Sequence, residues 1–165
     1  MKKYLKYAFY FFLYLLIVLF MAVMFIVTTA DAKILKPNNS IEPSQVVKIQ
    51  LNGLKNNDKP SKDFGIEQTW EFAHPNNQKY TGPIEKFKSM LKGENFSVLL
   101  NHIDHKITEK YLSENVAVYE VVILDIKKKY YKFKWQVEKY TIDGPLKNCW
   151  LTTAVSNPMP SGSSI

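Results

Sequence analysis

The chain has no arginine: all 22 of its basic side chains are lysines. Arginine's planar fork is the usual reader of guanine and of paired phosphate oxygens. Its absence argues against nucleic acid as a partner, although the pI is about 9.3. Cysteine is almost absent too. Cys149 stands alone, which excludes an intrachain disulfide and a zinc site of four cysteines. There is no Gly-rich phosphate loop, no zinc-ligand spacing and no nucleophile motif. No cofactor, catalytic residue or metal ligand is therefore assigned.

What the chain does have is a hydrophobic run near its start. Residues 7–29 are 23 consecutive residues without a charge, mostly Phe, Leu, Ile, Val and Met. As a helix this run is about 34 Å long, enough for a bilayer core of about 30 Å. Tyr4, Tyr7, Tyr10 and Tyr14 lie toward its N-terminal part, where aromatic rings anchor at an interface. Lys2, Lys3 and Lys6 precede the run, and only Lys33 and Lys36 follow closely. The predicted topology is a single-pass membrane protein, N-in and C-out, meeting the membrane through residues 7–29 with its domain outside the cytoplasm, periplasmic or luminal. A rival reading uses the same residues. Ala30-Asp31-Ala32 has the small-x-small form of a signal-peptidase site, and cleavage after Ala32 would export the remainder. The run exceeds the apolar core of a cleaved signal, about 7–15 residues, which favours retention. Both readings place the domain on the same side.

The formal charge of +7 comes from 22 basic and 15 acidic residues. Three lysines precede the run and Asp31 follows it, so beyond Ala32 the balance is 19 against 14. A bias toward Lys, Asn and Ile explains that surplus without a function.

The remaining residues suit one domain. Residues 1–32 read as the anchor or signal segment, 33–42 as a polar linker, 43–156 as an α+β domain and 157–165 as a disordered tail. Pro43 suits a first helical turn, and Val47, Leu51 and Leu54 follow as one apolar stripe. A second helix is predicted with Asp63 as its cap and Ile66, Trp70 and Ala73 on one face, stopped by His74-Pro75-Asn76-Asn77. A third starts at Gly82-Pro83, with Glu85 in its first turn and Ile84, Phe87 and Leu91 as its buried face, and ends at Gly93. The period then changes from about 3.6 to 2. In residues 130–140, Tyr131, Phe133, Trp135 and Val137 alternate with polar residues, a strand with one buried face. Residues 116–126 are apolar on both faces and read as an interior strand; residues 102–112 and 147–155 supply two more. About three helices followed by an antiparallel meander of about four strands is an α+β pattern.

The segments PSQVVKIQLNGLKNND (43–58) and GIEQTWEFAHPNNQKYTGPIEKFKSML (65–91) resemble uncharacterised domains of the DUF4864 type, within the NTF2-like (SnoaL-like, cystatin-like) group. The resemblance covers residues 43–155. Its most specific piece is Trp70-Glu71-Phe72-Ala73-x-Pro75-x-Asn77 followed by Thr81-Gly82-Pro83 and Phe87. It implies helices packed on a strongly curved antiparallel sheet, a cone with an internal cavity. It implies no activity, because this group includes enzymes, adaptors and association domains.

Each candidate site has a plainer reading beside it. His102, Asp104 and His105 form the one metal-like cluster. On a strand His102 and Asp104 share a face while His105 points away, so a polar edge strand is the simpler account. Asp104, Glu109 and Glu120 could act as a base if buried in the cone, Glu120 above all because its strand neighbours are apolar. Trp70, Tyr131, Phe133 and Trp135, with Glu120, are the candidate cavity lining; such aromatic stripes also build ordinary cores. Asn76-Asn77 and Thr81-Gly82-Pro83 shape a mouth or cap two helices. Lys127, Lys128 and Lys129 read as a solvated hairpin tip or a contact for anionic headgroups. Cys149 reads as buried and inert.

Three functions stay open. One is a membrane-tethered binding or interaction module, with a second copy docked on the sheet face. The next is a carrier for a small apolar ligand in the cone, and the last is a cofactor-free isomerase or hydrolase using a cone carboxylate. A filled cone with an exposed apolar sheet face marks the first, a deep pocket without titratable groups the second, and a pocket with a carboxylate beside Tyr or His the third.

Overall fold

The structure, a computed structural model, describes residues 2–26 and 33–163. The chain forms two units, residues 1–33 and 34–165. Among the described residues of the first there is one helix, α1 (Lys2–Ile26). Residues 9–21 are apolar or aromatic all round rather than striped, so no face is singled out for burial. Among the described residues no helix is long and apolar enough to cross a membrane. The expected span runs to Thr29, and the expected cleavage site is Ala30-Asp31-Ala32; residues 27–32 lie outside those described.

The second unit is α+β, as predicted, with helices first and an open antiparallel sheet after them. Helix α2 (Pro43–Lys55) begins with proline in its first turn, and Gln45 Oε1 accepts from the Glu42 N–H at 2.8 Å. Its buried stripe is Val46, Val47, Gln50, Leu51 and Leu54. Each buried Val or Leu contributes about 1.5–3 kcal/mol. Helix α3 (Phe64–Glu71) crosses α2 backbone to backbone: a Cβ on Gly65 would stand 2.0 Å from the Gly53 carbonyl oxygen. Asp63 occupies the predicted cap position, but its carboxylate takes Lys92 at 2.6 Å, which holds its pKa below the usual range. The capping bond comes instead from Asn57, whose Oδ1 accepts from the Ile66 N–H at 3.1 Å.

The predicted stop at His74-Pro75 is correct only as a break. Pro75 begins a further helix, α4 (Pro75–Thr81), where the missing N–H costs nothing in the first turn. His74 caps it, its Nδ1 accepting from the Asn76 N–H at 3.1 Å. Among its described residues the domain thus carries four α-helices rather than three. Helix α5 (Ile84–Lys92) buries Phe87 and Leu91 and is tied to α3 by Lys92–Asp63 and by Lys88–Glu67 at 2.9 Å. A 3-10 turn (Ser97–Leu99) leads into the sheet.

Strands β1 (Asp104–Leu112), β2 (Val116–Leu124), β3 (Lys129–Lys139) and β4 (Trp150–Val155) pair in chain order, each antiparallel to the next. The interior position predicted for residues 116–126 is that of β2, which pairs on both edges. Residues 159–163, expected as disordered tail, form a fifth strand, β5 (Met159–Ser163), along the same edge of β3 as β4. Between them Ser156 bridges the break: its N–H meets the Lys134 carbonyl and its Oγ accepts from the Lys134 N–H, both at 2.9 Å. The inner face carries Ala117, Tyr119, Val121 and Ile123 of β2 with Phe133, Trp135 and Val137 of β3, and meets the helices in one apolar core.

Candidate functional site

The core is not filled at one end. Between the four helices and the β3–β4 end of the sheet lies a cavity of about 260 Å³. Helix α2 contributes Gln50 and Leu54, and α5 contributes Phe87, Met90 and Leu91. Phe96 and Leu99 close the side near the 3-10 turn, while Trp135, Thr152 and Val155 stand on the sheet. The backbone fixes the last wall. The Thr152 N–H donates to the Phe72 carbonyl and the His74 N–H to the Thr152 carbonyl, both at 2.8 Å, so residues 72–74 run beside β4. That contact carries α4 to the mouth, where Asn77, Tyr80 and Thr81 line the opening and Tyr80 is 88% exposed.

The polar groups of the lining form a bonded set around Gln50, itself 1% exposed. Gln50 Oε1 accepts from Trp135 Nε1 at 3.1 Å and from Thr152 Oγ1 at 2.6 Å, and Nε2 donates to the Thr69 carbonyl at 3.0 Å. An indole N–H can only donate, so the oxygen of the amide must face Trp135. The Thr69 hydroxyl donates to the Gly65 carbonyl at 2.8 Å, and that of Thr81 to Asn77 at 2.9 Å. No carboxylate, ammonium, imidazole or thiol is in the lining, and Tyr80 at the mouth is its one ionisable side chain.

Two larger hollows, of about 460 and 510 Å³, are surface grooves with charged walls: Glu42, Glu114 and Lys139 in one, Glu94, Lys127 and Lys129 in the other. Neither has a desolvated interior, so the smaller core cavity is the better ligand site.

Of the predicted lining residues, the structure brings Trp135 to the cavity. Phe133 is buried in the core beside it. Trp70 packs on Phe87 from behind, ring centroids 5.0 Å apart. Tyr131 is half-buried and lines the groove near Lys129. Glu120 lies on the opposite, outer face of β2, paired across to Lys134 and 3.2 Å from Lys110. Strand alternation explains this: the buried positions of β2 are the odd-numbered ones. Among the lining residues missed in the sequence are Gln50, Thr69 and Thr152. Gln50 left a readable signal, as a polar residue inside the apolar stripe of α2.

The histidine cluster is also arranged differently from the expectation. Asn101 has φ 53° and its N–H donates to the Leu54 carbonyl, so the chain turns before β1 and His102 is not on a strand. His102 Nε2 and His105 Nδ1 are 2.8 Å apart, while Asp104 faces away toward Lys55. His102 Nδ1 lies 2.7 Å from the Leu99 carbonyl. A carbonyl only accepts, so Nδ1 of His102 holds the proton and its Nε2 accepts from His105. Burial pushes the His102 pKa down to about 4. Among the described residues no three His, Cys, Asp or Glu side chains converge as a metal site. Cys149 is buried, and burial pushes its thiol up. Asp125 Oδ1 accepts from the N–H groups of Lys127 and Lys129, which shapes the turn at the lysine run.

Comparison with family models, with curated proteins and with solved structures returns no match.

Proposed function

We propose that residues 34–165 are a binding module of NTF2-like form that holds a small, largely apolar molecule between its helices and its sheet. The observation that carries this reading is the lining: Leu54, Phe87, Met90, Leu91, Phe96 and Leu99 around an uncharged polar set. At about 260 Å³ the cavity exceeds the roughly 150 Å³ hole that holds benzene and falls just below the roughly 300–1,000 Å³ of drug-sized sites. One or two rings is the size it suits. Helices on one face of an open antiparallel sheet, with the core unfilled at one end, also support the DUF4864-type resemblance.

The enzyme reading asks for a carboxylate in the cavity, and Glu120 is on the other face. The interaction reading retains one observation: Val116 and Val118, then Val122 and Leu124, flank Glu120 on the half-buried outer face of β2, a surface a second copy would cover. Attachment to a membrane through residues 7–29, with the module outside the cytoplasm, is supported by the uncharged run and the lysines before it.

Val155→Phe tests the cavity by filling it, since phenylalanine suits a strand as well as valine does. Native mass spectrometry is expected to find one small molecule on the wild-type chain and none on the variant. A wild-type chain that arrives bare, and whose melting temperature no one- or two-ring apolar compound raises, sinks the reading.

A further inference from the structure

The polar chemistry of the cavity turns on Gln50. Gln50 Nε2 carries two hydrogens, of which one goes to the Thr69 carbonyl. The other has no partner among the described residues. The orientation of this amide is locked, because both Trp135 Nε1 and the Thr152 hydroxyl deliver protons to its oxygen. The amide cannot flip to offer an acceptor without placing its NH₂ against the indole N–H. Thr69 and Thr81 spend their hydroxyl protons on backbone carbonyls, which leaves them as acceptors only. Asn77 gives one amide hydrogen to the Thr152 carbonyl at 3.4 Å and keeps its second at the mouth; below it, the deep part of the site presents the spare Gln50 N–H and no charge.

Nε2 already has its bond to Thr69, and a ligand acceptor on the spare hydrogen recovers about 0.5–1.5 kcal/mol. A ligand carboxylate would recover it too, but would bring a full charge into a lining without lysine or histidine. The single amide N–H cannot offset that desolvation. We infer that the cavity takes an uncharged molecule of one or two rings bearing a single hydrogen-bond acceptor, such as a ketone or aldehyde oxygen, which docks on Gln50 Nε2. This rests on the reading of the cavity as an apolar ligand site and adds the ligand's charge and polar group.

Three probes of nearly one shape separate the possibilities: 2-acetylnaphthalene, 2-ethylnaphthalene and 2-naphthoate. Binding to the full chain in amphipol is read from the indole N–H resonance of Trp135 against those of Trp70 and Trp150, with free probe measured in the aqueous phase. The acetyl compound is expected to bind at least about 30-fold more tightly than the carboxylate. Gln50→Met is expected to weaken the acetyl compound about 5- to 10-fold, the size of one hydrogen bond, and to leave the ethyl compound within about twofold. If Gln50→Met does not fold, Gln50→Leu serves: it too offers no donor, and the acetyl compound's advantage over the ethyl compound is expected to disappear. Naphthoate binding as tightly as the ketone, or equal losses for ketone and ethyl compound in the variant, overturns the inference while the apolar cavity stands. Failure of all three to shift Trp135 overturns both.

Discussion

Gln50 joins α2 to α3 through Thr69 and to the sheet through Trp135 and Thr152, so one amide fixes the spacing of the layers around the cavity. His102 does comparable work at the other end of the 3-10 turn, and it titrates. Its folded pKa of about 4 lies below the ordinary value of 6.5. The unfolded chain therefore takes up the proton first as the pH falls. The stability tied to neutral His102 is complete above about pH 6.5 and drains away toward pH 4, by about 3 kcal/mol in all. Burial also lowers the pKa of His105, which adds loss in the same direction. Urea denaturation from pH 4 to 7 is expected to show this slope, and His102→Gln, which does not titrate, should flatten most of it. A slope equal in the two proteins would place the titration elsewhere.

Among elements, the contact between α2 and α3 is the least forgiving. At Gly65 an added Cβ would meet the Gly53 carbonyl oxygen at 2.0 Å and carbon at 2.5 Å, both backbone atoms with no way to step aside. At Gly53 the nearest atom is 3.2 Å away. Gly65→Ala is expected to cost about 3 kcal/mol or more, by forcing the helices apart. Gly53→Ala should come out near zero, because a shift of a few tenths of an ångström is offset by about 1 kcal/mol of better helix propensity. Guanidinium titration of both variants checks the contrast, and equal costs would mean that the crossing is looser than drawn.

The elements also show what a sequence can and cannot reveal. Val47, Leu51 and Leu54 announced α2, and the alternation of Tyr131, Phe133, Trp135 and Val137 announced β3, because burial on one face writes its period into the chain. Helix α4 was hidden: it buries no side chain, so it has no period to read, and Pro75 marks a start as well as it marks a stop. Strand β5 was hidden for the same reason, since MPSGS has no apolar alternation and is held by the edge of β3. The cavity was legible only through Trp135 and, at its mouth, through Asn77 and Thr81. A cavity is walled by residues from distant segments: Gln50 and Thr152, bonded to each other across its lining, are 102 positions apart.

For the whole molecule, the open choice concerns residues 1–32. Retention predicts that the intact chain stays in the membrane fraction through a carbonate wash, while a chain beginning at Lys33 leaves it. Cleavage predicts a mature N-terminus at Lys33 and a supernatant protein. N-terminal sequencing of the washed fractions decides between them, and a full-length chain in the supernatant would refute attachment altogether.

Cys149 gives this molecule a clock of its own. The thiol is shut in just ahead of β4, where the Tyr140 N–H donates to its carbonyl at 2.8 Å, and burial disfavours the reactive thiolate. A labelling reagent must wait until that end of the strand swings clear, so the waiting time converts to the free energy of local opening. Two residues of that strand, Thr152 and Val155, face the cavity. Any molecule that occupies the cavity without binding the opened form is expected to slow the clock in proportion to its occupancy, a readout that needs no dye, tag or second cysteine.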